Sequence, residues 1–297
     1  MALIRTSDTG GLVVVAPRRN VREHVREVLS YTELIRGLVR KELKVRYKQS
    51  TLGLVWSMIQ PMFLLLIYSV VFSVLKGGMP RLGVWIMSGL LVWTMVGTSV
   101  TTAVVSITGN GPLVGKVRFP RAVLPTSSLG AALIHFCLQF SAFCVVLVIV
   151  QQHVDWAYVW LIPVGVASLL IFLLAVGLLV AALNVYARDA QHLLDMLTLG
   201  WFWLTPIVFD YARLSRFFQH HGLPAWMPMV NPVTPVVIIM QRALYGTAYA
   251  NGNRVLPNDS VWWYLRNVGV VAAVSVVLLY FAFRLFDRAE VNMAESL

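Results

Sequence analysis

The stretch "LIRGLVRKELKVRYKQSTLGLVWSMIQPMFLLLIYSVVFS", residues 34–73, joins two different patterns without a break. In its first half Leu34, Ile35, Leu38, Val39 and Leu43 recur at helical spacing, and Arg36, Arg40, Lys41, Lys44 and Lys48 fill much of the rest. That spacing predicts an amphipathic helix over 33–48, lying in a membrane interface with its apolar face in lipid and its cations near anionic headgroups. From residue 52 the charges stop. The apolar run 52–75 is long enough to cross a hydrocarbon layer as a helix, which takes about 20 residues. An interface helix that feeds a span points to a helical membrane protein.

The rest of the chain agrees. It has 297 residues, of which 58% are hydrophobic and 12% charged, and its mean hydropathy is +0.74. A soluble domain carries roughly twice that share of charge, about 25%. Further runs at 82–108, 124–150, 157–183 and 262–286 are long enough to span. A sixth at 193–209, "LLDMLTLGWFWLTPIVF", is shorter, carries Asp195 near its start, and would have to recruit flanking turns. The expected architecture is all-α with six transmembrane helices: a cytoplasmic arm over 1–32, a membrane domain over 33–290 and a cytoplasmic tail over 291–297. The first 50 residues are polar and basic and lack an apolar signal core, so no cleavable signal peptide is expected.

Loop charge orients the spans. The net charge is +11, and with an inside N-terminus 17 of the 24 Lys and Arg fall inside and 6 outside. This split favours cytoplasmic termini and a multi-pass protein of the inner (cytoplasmic) membrane. It also accounts for the basic balance without a nucleic-acid partner.

The loop "GNGPLVGKVRFPRAVLP", residues 109–125, looks like a damaged phosphate-binding loop. A P-loop needs G-x-x-x-x-G-K-[ST] after a short strand. Counting back from Gly115-Lys116, the first glycine position holds Asn110, and the hydroxyl position holds Val117. The preceding run is a span, not a strand. A plain polar loop between two spans is the better reading.

The segment 210–261 carries four prolines between 224 and 235, and its apolar piece 233–240 is too short to cross. A re-entrant or surface-lying helical hairpin on the outer side is expected, because irregular backbone at membrane depth is tolerated only against protein or a wet cavity. Cys137 and Cys144 fall on one helix face, too far apart to bridge, and read as small core residues. His135 and Gln139 read as an interhelical hydrogen-bonding pair. His220-His221 falls in an expected loop and shows no metal spacing. Ion-coupled carriers bury carboxylates at mid-membrane, and here Asp195 alone lies in a span, near its end. No catalytic or metal-binding set is visible. Aromatics are dense: Trp56, Phe63, Tyr68 and Phe72 in the first span, and Trp201, Phe202, Trp203 and Phe209 in the fifth. Such rings stack on the C–H faces of sugars, or else form an interfacial belt and packing.

Residues 34–73 resemble the opening of ABC-2 type permeases that export polysaccharides, the O-antigen, teichoic acid and capsule group. The matching run is Lys44, Arg46, Tyr47, Ser50, Leu52, Gly53, Trp56, Gln60 and Pro61. The loop "LVGKVRFPRAVLP" (113–125) and "NPVTPVVIIMQRALYG" (231–246) are similar to two further segments of that family. The resemblance covers about residues 30–290. It implies a homodimer paired with two copies of a separate ATPase chain, which binds ATP and Mg, while this chain carries no cofactor. It implies transport of a polyprenyl-pyrophosphate-linked glycan through a channel at the dimer interface. Loop 109–125 would then dock on the ATPase through Lys116, Arg118, Phe119 and Arg121, with a second element at 186–193 containing Arg188 and Asp189. The lipid pyrophosphate would first meet Arg36, Arg40, Lys41, Lys44 and Arg46. Trp56, Phe63, Tyr68, Phe72, Trp201, Trp203 and Phe209 would line the sugar path. The arm 1–30 has no match. The Arg-rich composition suits a cell-wall galactan as cargo, with O-antigen and teichoic acid open.

Three other readings stand beside this one. An ABC-2 permease for a drug or lipid would need no continuous aromatic path. A glycan-assembly enzyme would need a carboxylate site. A passive channel would need no basic loop facing an ATPase.

Overall fold

The structure, a computed structural model, describes residues 3–6, 12–15, 21–46, 55–75, 81–187, 189–247, 249–250, 253–257, 260–290 and 293. The motif residues 47–54, Arg188 and most of the tail 291–297 lie outside the described residues.

Among the described residues the elements are helical apart from two short antiparallel hairpins, β1 (Leu3–Thr6) with β2 (Leu12–Val15) and β3 (Tyr249–Ala250) with β4 (Asn253–Arg254). The helices are α1 (Val21–Ser30), α2 (Thr32–Arg46), α3 (Val55–Leu75), α4 (Leu82–Val105), α5 (Gly111–Lys116), α6 (Val123–Ile149), α7 (Trp156–Val159), α8 (Leu161–Tyr186), α9 (Ala190–Trp203), α10 (Tyr211–His220), α11 (Val233–Tyr245) and α12 (Val261–Glu290). Four stretches of described residues are long and apolar enough to cross a membrane: α4, α6, α7 with α8, and α12.

Packing ranks these helices. The most apolar window of α4 is 83% buried, that of α12 only 28%. So α4 is the axis of the bundle, against α6, α8 and α11, and α12 lies on the outside along α8. Lipid is as apolar as leucine, so close backbone approach has to supply much of the attraction between spans. Glycines allow it. A Cβ on Gly177 of α8 would meet Ala103 of α4 at 3.3 Å, and one on Gly89 of α4 would meet Val237, Gln241 and Ile207 at 3.2 Å.

The helix α11 is apolar all round and buried all round, with Arg242 alone half-buried. Its 13 residues span about 20 Å, short of the ~30 Å of a bilayer core. It wedges against α4, α7 and α8. The expected run 193–209 forms a helix only from Ala190 to Trp203. Pro206 ends it, since a proline lacks the N–H and disfavours helical backbone at Thr205 before it.

Two expectations change. The apolar face of α2 lies on protein, not in lipid: Leu38 and Val39 are buried, and a Cβ on Gly130 of α6 would meet Val39 Cγ2 at 3.0 Å. Cys137 is exposed and Cys144 half-buried, on an outward side of α6 and not in a core. The arm is in part a folded element, because α1 packs on the end of α12. Of the expected pair at His135 and Gln139, Gln139 reaches a neighbouring helix, where Thr94 Oγ1 of α4 donates to its Oε1 at 2.9 Å.

Candidate functional site

The basic loop opens with a 3₁₀ turn at Thr108–Asn110 and continues as α5, where Pro112 occupies the first turn that proline tolerates. This is a helical turn with no entering strand, so it is no phosphate cradle. Lys116, Val117 and Arg118 are exposed. Phe119 is half-buried and packs on a core cluster that includes Ile107, Ala122 and Val123. Arg121 turns inward. Its backbone N–H donates to Glu290 Oε1 at 2.9 Å and its Nη1 to the Glu290 carbonyl at 2.8 Å. The loop therefore offers Lys116 and Arg118 to a partner, while Phe119 and Arg121 hold it to the protein.

The second loop ends on the same helix. The Tyr186 hydroxyl donates to the Ala289 carbonyl at 2.6 Å. Asp189 is exposed at the start of α9, and its side chain caps nothing. The last turn of α8, just before the second loop, also meets the first loop directly, Asn184 Nδ2 donating to Thr108 Oγ1 at 3.3 Å. A third element joins them. His24 of α1 is 1% exposed and its Nδ1 lies 2.5 Å from Asp287 Oδ1. Burial alone would lower the pKa of the His24 ring; the hydrogen bond and charge of Asp287, with Glu290 and Glu27 behind it, outweigh burial and raise it. Among the described residues, His24, Asp287 and Glu290 form the one trio whose ligand atoms fall within 4.8 Å of one another.

On α2, Arg36, Arg40 and Lys44 stand one turn apart on an exposed face. Arg36 pairs with Glu33 at 2.7 Å, with both side chains mostly in solvent. Lys41 leaves this set, because its Nζ donates to Asn110 Oδ1 at 2.8 Å and pins α2 to the first loop. Arg46 ends α2, and its side chain is outside the described residues.

The aromatics divide. Trp56 and Phe63, two turns apart on α3, are 50% and 61% exposed. Trp203 is exposed, its ring 6.3 Å from that of half-buried Phe209. Trp201 turns inward: its ring packs edge-on against Trp93 at 5.8 Å and Phe172 at 6.0 Å, and its Nε1 donates to Asn231 Oδ1 at 2.9 Å. Tyr68 is half-buried against the main core. Phe72 lies in the last turn of α3, its side chain outside the described residues.

Sequence reading missed several residues. Asn231 knits the end of α9 to α11, donating to Thr205 Oγ1 at 2.8 Å and accepting from Val233 N at 3.1 Å. At the end of the bundle away from α1 and the loops, Arg242 Nη2 lies 2.9 Å from Asp155 Oδ2 and its guanidinium sits over the Tyr158 ring at 4.3 Å. Asp287 and Glu290 complete the group. Apart from the Asn231–Val233 bond, these contacts join residues far apart in sequence, and no spacing rule finds them.

Residues 33–245 match the family described as ABC-2 type transporter. The chain is 32% identical over 274 residues to the O-antigen export system permease protein RfbA of Myxococcus xanthus, covering 92% of this chain and 98% of that one. It is 28% identical over 207 residues to the protein of the same name from Klebsiella pneumoniae, covering 69% and 78%. A helical bundle with apolar spans, a two-loop end and a matching family domain over most of its length shows that this chain belongs to the ABC-2 type transporter family.

Proposed function

We propose that this chain is the membrane permease of an ATP-driven polysaccharide exporter, working as a homodimer with two copies of a separate ATPase that holds ATP and Mg. The observation that carries this reading is the likeness, along nearly the whole of both chains, to a protein named as an O-antigen export permease. The cargo is a polysaccharide carried on a polyprenyl pyrophosphate, and the relatives' names favour O-antigen over the cell-wall galactan that composition suggested. The chain sits in the cytoplasmic membrane with both termini inside.

In this reading six spans cross: α3, α4, α6, α7 with α8, α9 with the turns after it, and α12. The segment from α10 to α11 enters from the outer side and returns. Support comes from α3, which is 21 residues long without a charge, and from the burial of α11 among the spans. The exposed Lys116, Arg118 and Asp189 face the ATPase, and Arg188, next to Asp189 in sequence, is assigned the same task. Arg36, Arg40 and Lys44 offer three cations to a pyrophosphate as it approaches from the lipid, and charge-assisted contacts of this kind are strong. The outward rings of Trp56, Phe63, Trp203 and Phe209 stack on sugars in a path completed by the second copy. A drug or lipid as cargo would leave these rings without a task.

Depleting the chain in its native cell tests the proposal. Lipid-linked polysaccharide is expected to accumulate on the cytoplasmic side while surface polysaccharide disappears. The purified chain is expected to bring a stoichiometric partner with an intact P-loop. Unchanged surface polysaccharide, or a chain purified without an ATPase, would overturn it.

A further inference from the structure

The end of α12 gathers contacts that neither the family nor the transport reading explains. Within its last turn Asp287 meets His24 of α1, the Ala289 carbonyl takes the Tyr186 hydroxyl of the second loop, and Glu290 takes two bonds from Arg121 of the first. The aromatic faces of Phe283 and His24 lie 5.4 Å apart and continue the contact one turn further in. Phe286 and Met293 are fully buried beside them. Yet much of the remainder of α12 faces outward, with Val270, Val274, Val277, Phe281 and Leu285 exposed. A helix that is free along one side and fastened at one end to three separate segments is placed to move with them.

We propose that residues 287–290 act as a tie that makes α1 and both loops one moving body, and that α12 carries their displacement along α8 into the membrane. This rests on the reading that the loops receive the stroke of an ATPase. The cluster has a composition that stands without a metal: His24 lies against Asp287, and Arg121 against Glu290. The two loops are short and exposed at their tips, so a push on one alone would deform it. Tied through Glu290 and Ala289, with the Asn184–Thr108 bond beside them, a push on either reaches both. The contact of α12 with α8 is the most extensive between any two helices of the fold. It supplies the route from the tie to the bundle.

Two variants of the whole complex, purified with its ATPase and placed in vesicles, test the tie. Arg121→Met with Tyr186→Phe loosens it while keeping side-chain volume. ATPase association and hydrolysis are expected to persist, and polysaccharide moved per ATP to fall at least about five-fold, since two hydrogen bonds of ordinary strength are lost. Tyr186→Cys with Ala289→Cys, in a Cys137→Ala/Cys144→Ala background, is then joined by a short bis-maleimide. Export is expected to survive this cross-link, because the two sites do not separate. An unchanged ratio in the loosened variant, or export stopped by the cross-link while hydrolysis continues, overturns the tie alone. Absence of the ATPase from the wild-type complex overturns the transport reading, and the tie with it.

Discussion

Gly246 ends α11 with φ at +79°, in the left-handed region, and a Cβ there would run into the carbonyl oxygen of His153. Gly222 has a similar φ of +74° with nothing within 4 Å of its would-be Cβ. The pair separates two effects. Gly222→Ala should cost only the strain of the left-handed backbone, about 1–2 kcal/mol. Gly246→Ala adds a clash with backbone and should lower the melting temperature of the detergent-solubilised protein clearly further. Equal losses would show that the 150–155 loop gives way freely. His24 gives a second prediction at this scale. Its folded pKa is raised above the ordinary value of about 6.5. Its contribution is therefore complete below that value and is lost as pH rises through the folded pKa. The groups facing it are Asp287, Glu290 and Glu27, with Arg121 beyond Glu290. The docking of α1 on α12 should loosen as pH rises from 6.5 upward, seen as faster hydrogen exchange in α1 after correction for the intrinsic rate. In His24→Gln that pH dependence should vanish; if it persists, another group sets it.

At the scale of elements, the first loop divides its residues between two tasks. Lys116 and Arg118 are exposed, whereas Arg121 is built into the protein through Glu290. Reversing Lys116 and Arg118 to Glu should leave stability within about 0.5 kcal/mol, as exposed changes usually do. It should nonetheless abolish recovery of the ATPase with the permease. Arg121→Glu should instead lower stability, since it sets a carboxylate against Glu290. Normal ATPase recovery with the double reversal would remove the loop from the docking surface. The amphipathic pattern of α2 and the long apolar runs were legible because local periodicity and length encode them. What α2 packs on was not: an apolar stripe fits lipid and protein equally, and the contact with Gly130 lies about ninety residues away. The short extent of α9 was within reach, since Pro206 stands inside the expected run. The tie at Glu290 was not, because 169 residues separate it from Arg121.

For the whole molecule, the open question of the sequence was which aromatic rings face outward. In a soluble helix, polarity marks the exposed side; in a membrane helix both sides are apolar, and Trp201 and Trp203 look alike. The structure separates them. Trp201 is held between Trp93, Phe172 and Asn231, while Trp203 and, on α3, Phe63 are 54% and 61% exposed. In the proposed homodimer, the second copy would close the two exposed aromatic surfaces of one protomer into a sugar path. Phe63→Ala with Trp203→Ala should leave folding nearly intact, because neither ring is buried in the protomer, and should slow export in vesicles well beyond any loss of expressed protein. Trp201→Ala should do the reverse. It empties an aromatic cluster and strips Asn231 of a donor, at a cost of about 3 kcal/mol, so protein recovery falls while export per folded complex holds. If both variants lower export only in proportion to protein recovered, the outward rings are packing or lipid anchors, and the sugar path must be sought on other residues.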